Sequence, residues 1–261
     1  MHSILHSILS EIAALPWWLY IVAVVAAISL VVAITAFFAA YRRRAVIDAV
    51  LRASGGTAPL DWYDLSYGDA DAKLDAKQLI IPERLWTYDG AYLDRFATVV
   101  NGAAVAGGGT ALALYIGPTL AWDIVFAIGL SLSVALAEFG IAAVLYWHGY
   151  SVIGGAVLFL AGMALVYGAA DVGEDLKLVA IFRDWLRAQY EAGAKSAAEL
   201  AVGTNAERKL HVDAGEAAAA NALTRLKLVT ISISILGAVI FKILSVIADR
   251  VLHAPPTPVA R

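Results

Sequence analysis

Three carboxylates lie close together in the stretch AADVGEDLKL, at Asp171, Glu174 and Asp175. Residues at positions i, i+3 and i+4 share one face of a helix, so these acids project together. Like charges at this spacing repel one another unless a cation or a proton lies near. The group could fix helix ends through ion pairs, admit a cation or proton, or act as catalytic acids. We interpret it as a structural network.

Partners for these acids occur in two other stretches. NALTRLKL carries Thr224, Arg225 and Lys227, and LAWDIVFA carries Asp123. Each stretch lies at one end of an apolar run, as the three carboxylates do, so we expect their side chains to meet at one membrane boundary. The sequence predicts a polar belt of six residues there: Asp123, Asp171, Glu174, Asp175, Thr224 and Lys227.

Two further charges, Glu138 and Lys242, lie inside apolar runs. A charge at the middle of a bilayer costs roughly 2.5 to 3.5 kcal/mol on insertion scales, so each needs a partner. Each follows an earlier charge by fifteen residues, which is about 22 Å along a helix. Two parallel neighbouring helices would therefore pair Asp123 with Lys227 and Glu138 with Lys242. Alternatively, Lys242 extends to the far interface and Glu138 is protonated.

Membrane helices must position these charges. Of 261 residues, 61% are hydrophobic and 16% charged, and the mean hydropathy is +0.75, whereas soluble domains are roughly 45 to 50% apolar and 25% charged. A bilayer crossing needs about 20 mostly apolar residues. The predicted fold class is an all-α polytopic helical membrane protein with four transmembrane helices, five being possible, plus amphipathic cytoplasmic helices.

The apolar runs divide the chain into eight predicted segments. They are an amphipathic outer-surface segment at 1–15, transmembrane helix 1 at 16–40, a cytoplasmic or interfacial segment at 41–119, transmembrane helix 2 at 120–147, transmembrane helix 3 at 150–171, cytoplasmic amphipathic helices at 172–225, transmembrane helix 4 at 226–248, and a tail at 249–261.

The segment 96–117 is the candidate for a fifth crossing. Its glycine triplet at 107–109 disfavours a helix, and Pro118 closes it. Without this crossing, residues 41–95 and 171–225 lie on the same side, with eight and seven Lys or Arg residues. Cytoplasmic loops carry such an excess. We therefore expect four spans, with the N-terminus outside as an uncleaved anchor.

The region after the third span carries an apolar stripe at helical spacing, formed by Leu176, Val179, Phe182, Leu186 and Tyr190. The stripe predicts an amphipathic helix that lies on the membrane or against the first cytoplasmic segment. A further helix should begin near residue 205 and run without a break into the last span.

Several classes of site are excluded or disfavoured. The chain has no cysteine, so disulfides, thiol catalysis and cysteine metal sites are excluded. His2 and His6 lack a third ligand, and His148 has no acidic or histidine neighbour, so we predict no metal. No basic face stands apart from the acids, so no nucleic-acid partner is expected. We predict no cofactor and no catalytic residue.

Residues from about 86 to 248 resemble a group of uncharacterised bacterial multi-span membrane proteins. The matching pieces are YDGAYLDRF, LALYIGPTLAWDIVFA, AADVGEDLKL and NALTRLKL. The stretch before the aspartate helix does not cross in that group, so the resemblance implies four spans. The chain differs in its extra N-terminal span, its glycine triplet, Glu138 and Lys242. The resemblance implies no activity, and it favours the polar belt as a shared architectural feature.

These patterns predict a non-enzymatic integral membrane scaffold or accessory subunit of a larger membrane protein complex. Its expected partners are the lipid bilayer and other membrane proteins or further copies of itself. The alternative is a small transporter or ion-conducting protein that uses Glu138 and Lys242, and an intramembrane enzyme using the acids at 171–175 is a third interpretation. Alanine-rich composition without cysteine favours a bacterial inner membrane.

Overall fold

A computed structural model describes residues 15–53, 79–106, 108–200 and 212–252. Within these ranges the chain is helical, with no strand. Six helices follow in chain order: α1 Trp17–Ala53, α2 Gly90–Asn101, α3 Ala111–Leu114, α4 Leu120–Trp147, α5 Ser151–Leu200 and α6 Ala214–Leu252. A 3-10 turn at Pro82–Arg84 precedes α2, and a π turn at Tyr115–Thr119 joins α3 to α4. The predicted outer-surface segment lies outside the described residues except for residue 15.

Four helices of the described chain are long and apolar enough to cross a membrane by length and composition. They are α1, the continuous helix Ala111–Trp147, α5 and α6, and we call them the four candidate spans. The predicted all-helical class and the predicted four long apolar helices are therefore confirmed.

The segment 96–117 does not form a fifth long helix. α2 ends at Asn101, and Gly108 and Gly109 then adopt φ values of +89° and +90°, which glycine reaches without steric cost. A new helix begins at Ala111.

Pro118, predicted to close the segment before the second span, lies instead inside a continuous helix. The proline sits in the π turn, where the loss of its N–H is tolerated. The Thr119 hydroxyl donates to the Leu114 carbonyl at 2.8 Å, so that carbonyl keeps a partner. The second candidate span therefore begins nine residues before the predicted residue 120.

The third candidate span continues far beyond a bilayer. At about 1.5 Å per residue, the 50 residues of α5 extend about 75 Å, against a hydrocarbon core of about 30 Å. The amphipathic helix predicted after residue 171 is thus the second half of the same helix. Its buried stripe is Leu178, Ile181, Phe182 and Trp185, so Phe182 of the predicted stripe is buried, whereas Leu176 and Tyr190 are exposed.

The four candidate spans pack in series, α1 on α4, α4 on α5 and α5 on α6. The short turn at His148–Tyr150, with Gly149 at φ +82°, makes α4 and α5 antiparallel neighbours. α6 returns along α5, so α4 and α6 point the same way, as predicted. α5 packs against both of them, and α4 and α6 make at most marginal contact over the described residues.

Small residues allow these helices to approach closely. A Cβ on Gly129 of α4 would lie 3.0 Å from the Ser29 carbonyl oxygen and the Ala33 nitrogen of α1. A Cβ on Gly168 of α5 would collide with the Ser131 side chain of α4. Gly129 therefore serves a helix contact within the molecule.

An apolar core, which we call the cap, lies beside one end of the four candidate spans. It is built by the end of α1, the 3-10 turn, α2, the π turn, the middle of α5 and the start of α6. Its largest fully buried side chains are Ile47, Ile81, Leu93, Phe96, Leu112, Tyr115, Leu120, Leu178 and Phe182. The charged residues that follow lie between the cap and the apolar parts of the helices.

A buried ion cluster between the spans and the cap

Seven ionisable side chains from five elements form what we call the ion cluster. Its members are Arg44, Glu83, Asp123, Asp171, Glu174, Asp175 and Lys227. The six other than Arg44 are buried, and Arg44 is partly buried. Acids and bases removed from water in this way must be paired, bind a cation or lose their charge by proton transfer.

Lys227 joins α6 to α5. Its Nζ lies 2.7 Å from Oδ1 of Asp171 and 2.5 Å from Oε2 of Glu174. The Thr224 hydroxyl donates to Glu174 from the same face of α6, and the Tyr167 hydroxyl donates to Oδ2 of Asp171 at 3.0 Å. One ammonium and two hydroxyls therefore contact the predicted acids Asp171 and Glu174.

Tyr88 connects this group to the cap. Its hydroxyl donates to Oε1 of Glu174 at 3.4 Å and lies 3.3 Å from the Thr224 hydroxyl. Burial raises the pKa of Tyr88 well above its usual value, and the nearby Glu174 carboxylate raises it further. The phenol stays protonated, so it can donate to that carboxylate.

Arg44 joins α1 to α4 and to the 3-10 turn. Its guanidinium pairs with Asp123 and lies 3.6 Å from Oε1 of Glu83. The Tyr115 hydroxyl donates to the other oxygen of Glu83 at 2.5 Å. Each of the four candidate spans thus contributes at least one charge to the ion cluster.

Asp175 has no such partner. Its relative exposure is 0%, and neither of its carboxylate oxygens has a hydrogen-bond partner among the described residues. One carboxylate oxygen of Asp175, one of Glu83 and one of Asp123 lie within 4.8 Å of one another. The chemistry available to the ion cluster is therefore ion pairing, proton uptake or cation binding.

The structure brings together all six residues of the predicted polar belt. The predicted direct pair between Asp123 and Lys227 is wrong, because Asp123 pairs with Arg44, and Lys227 pairs with Asp171 and Glu174. The reason is the helix order. α5 packs against both α4 and α6 and supplies the acids that Lys227 meets.

Glu138 lies buried in α4, and its Oε2 has no hydrogen-bond partner among the described residues. The side chain of Lys242 lies outside the described part of the chain, although its backbone belongs to α6. The pairing of Glu138 with Lys242 stays a prediction.

Sequence reasoning missed Arg44 and Glu83, and it missed Tyr88, Tyr115 and Tyr167, whose hydroxyls donate to the ion cluster. A signal for Arg44 exists, because it continues the buried face of α1 at helical spacing from Ala36 and Ala40 to Ile47. Glu83 carries no comparable signal, since it lies in a short turn between two loops.

Two clefts in the surface of the described residues lie away from the ion cluster. One lies beside Trp185 and Glu216, and the other lies at the turn Gly149–Ile153. Neither cleft is lined by a residue of the ion cluster, so neither gives a substrate access to it.

Comparison of the chain with protein families, with curated proteins and with solved structures gave no match.

Proposed function

We propose that the protein is a non-enzymatic integral membrane scaffold or accessory subunit of a larger membrane complex. The observation that carries this proposal is the ion cluster, in which charges from all four candidate spans meet at one end. Buried ion pairs contribute little net stability, but they fix register, because any slip strands a charge in an apolar environment. Such a device suits a rigid structural protein.

The proposed setting is a bacterial inner membrane, with four crossings and the N-terminus outside. In this setting the cap and the second half of α5 face the cytoplasm. The count of basic residues supports this orientation, since the segments flanking the cap carry the excess of Lys and Arg.

We propose that a partner helix packs against α5 at Gly162, where the absence of a side chain leaves a notch in the helix surface. A Cβ on Gly162 would meet nothing within 4 Å. Phe159 and Val166, one turn before and after it, are exposed. Small residues let another membrane helix approach closely, so the expected partner is a transmembrane helix of another protein or of a second copy.

Crosslinking in native membranes tests the proposal. A photoreactive residue at Phe159, which is 60% exposed, should crosslink to protein and shift the band to a higher mass. The same residue at Ile28 of α1, which is 58% exposed, is the control and should react only with lipid. Gly162→Leu should abolish the crosslink from residue 159 while the purified chain keeps its melting temperature. A chain that stays monomeric, with no protein crosslink from residue 159, would count against an accessory role.

Ion conduction is the second candidate, and Glu138 is the observation that favours it. A buried carboxylate with an unpartnered oxygen, in a candidate span that also buries Ser131 and Ser133, is typical of a proton or cation route. Flux through liposomes that disappears in a folded Glu138→Gln variant would support this function. Liposomes of the wild-type chain that conduct no proton or alkali cation would exclude it.

A further inference from the structure

We propose that Glu83, Asp123 and Asp175 bind a divalent cation of the oxygen-preferring class, with Ca²⁺ and Mg²⁺ as its representatives. The site lies within the ion cluster and goes beyond the scaffold role, and it would join the 3-10 turn to α4 and α5. Its donors come from three separate elements, so the cation would close the junction between the cap and the candidate spans.

The spacing of the oxygens suits such an ion. One oxygen from each of the three carboxylates lies within 4.8 Å of the other two. Oxygens on opposite sides of one Ca²⁺ are roughly 4.6 to 5.2 Å apart, and those around Mg²⁺ are at most about 4.2 Å apart. The upper limit of 4.8 Å on these separations is therefore compatible with one shared Ca²⁺, whereas Mg²⁺ requires separations of at most about 4.2 Å.

Asp175 is the group without a hydrogen-bond partner in the described part of the chain. It is fully buried, and both of its oxygens lack hydrogen-bond partners among the described residues, although one of them points into the group of three. Oε1 of Glu83 has no hydrogen-bond partner there either and has only Arg44 at 3.6 Å. A buried carboxylate without a partner is unfavourable in its ionised form, and a coordinated cation would remove that cost.

The charge count points to a divalent ion. When ionised, Glu83, Asp123 and Asp175 carry three negative charges, and Arg44 supplies one positive charge, which leaves −2 in this half of the ion cluster. A divalent cation would bring the sum to zero. Lys227 is already engaged by Asp171 and Glu174 in the other half.

The chemical type of the three ligands indicates which class of metal the site would bind. All three ligands are carboxylates, and the chain has no cysteine. Oxygen-only sites suit Mg²⁺, Ca²⁺ and Mn²⁺, whereas sites for Zn²⁺ and Cu²⁺ usually include histidine or cysteine.

Thermal unfolding of the full chain in detergent, after treatment with a chelator, tests the site. Titration of Ca²⁺, Mg²⁺ or Mn²⁺ should raise the melting temperature in a saturable way, and calorimetry should give one site per chain. Asp175→Asn should fold without the cation, because the amide relieves the buried charge, and its affinity should fall by at least about tenfold. Asp184→Asn, which alters an exposed acid on the same helix, should keep the wild-type response.

Two results would overturn the proposal. The first is a wild-type chain whose melting temperature and heat of mixing do not respond to any of the three cations. The second is an Asp175→Asn variant that keeps the full response. If that variant fails to fold, Glu83→Gln takes its place, with the same expected loss of affinity and the same contradicting outcome.

Discussion

Tyr92 shows, at the scale of one residue, how side-chain hydrogen bonds hold the cap together. Its hydroxyl donates to the Ile80 carbonyl at 2.5 Å and accepts from the Ile80 N–H at 2.7 Å. A single side chain therefore satisfies both backbone groups of a buried residue. Burial raises the pKa of Tyr92 to about 12, so the folded state favours the protonated phenol.

Tyr92→Phe should lower the free energy of unfolding by about 1 to 3 kcal/mol, because both polar groups of Ile80 lose their partner. The raised pKa also predicts a pH dependence. The stabilisation that comes from the protonated Tyr92 phenol is fully present below its unfolded pKa of about 10. It is lost as the pH rises towards the folded pKa of about 12. Denaturant unfolding from pH 8 to 12 measures both effects, with Tyr190→Phe as the exposed control. Equal alkaline destabilisation of wild type and Tyr92→Phe would contradict this assignment.

The residues of the ion cluster show what the sequence can predict at this scale. The acids at 171, 174 and 175 share a helix face by spacing alone, so their association follows from the chain. Their partners do not, because the choice between Arg44 and Lys227 depends on which helices are neighbours. Glu83 reaches the ion cluster only through the path of a loop, which no local pattern encodes.

At the scale of helices, contact between α1 and α4 depends on Gly129. Gly129→Ala should lower the free energy of unfolding by about 1 to 3 kcal/mol, because the new Cβ meets α1 backbone at 3.0 Å. Gly162→Ala is the matched control, since its Cβ meets nothing within 4 Å, and its change should stay within about 1 kcal/mol. Unfolding of both purified variants by a denaturing detergent measures the difference, and equal losses would argue against close packing at residue 129.

Hydropathy predicted the four apolar helices because length and composition decide which segments can cross a membrane. It did not predict their ends. α5 continues after its apolar half because no proline occurs between residues 151 and 200, and its second half is held by the cap. The π turn at Pro118 likewise depends on a local hydrogen bond from Thr119 rather than on residue type alone.

At the scale of the whole molecule, the absence of cysteine makes the proposed topology easy to test. A cysteine introduced at His148, in the exposed turn after α4, should react with an impermeant maleimide added to intact cells. A cysteine at Tyr190, which is 80% exposed on α5, should react only after the membrane is permeabilised. Labelling of both positions from the same side would mean that α5 does not cross.

The central claim is that paired charges at one end of the candidate spans hold the whole molecule in register. Lys227 is an informative member, because its buried ammonium pairs with two buried acids. Lys177 provides a matched control, since its ion pair with Glu216 at 4.0 Å joins the same two helices and has side chains that are 43% and 42% exposed.

The decisive measurement is the free energy of unfolding of Lys227→Met beside that of Lys177→Met. Lys227→Met removes the buried ammonium and should lower the free energy of unfolding by about 3 to 5 kcal/mol, because Asp171 and Glu174 are left without a cation. Loss of the exposed ammonium should change it by at most about 1 kcal/mol. Similar small losses in both variants would contradict the account.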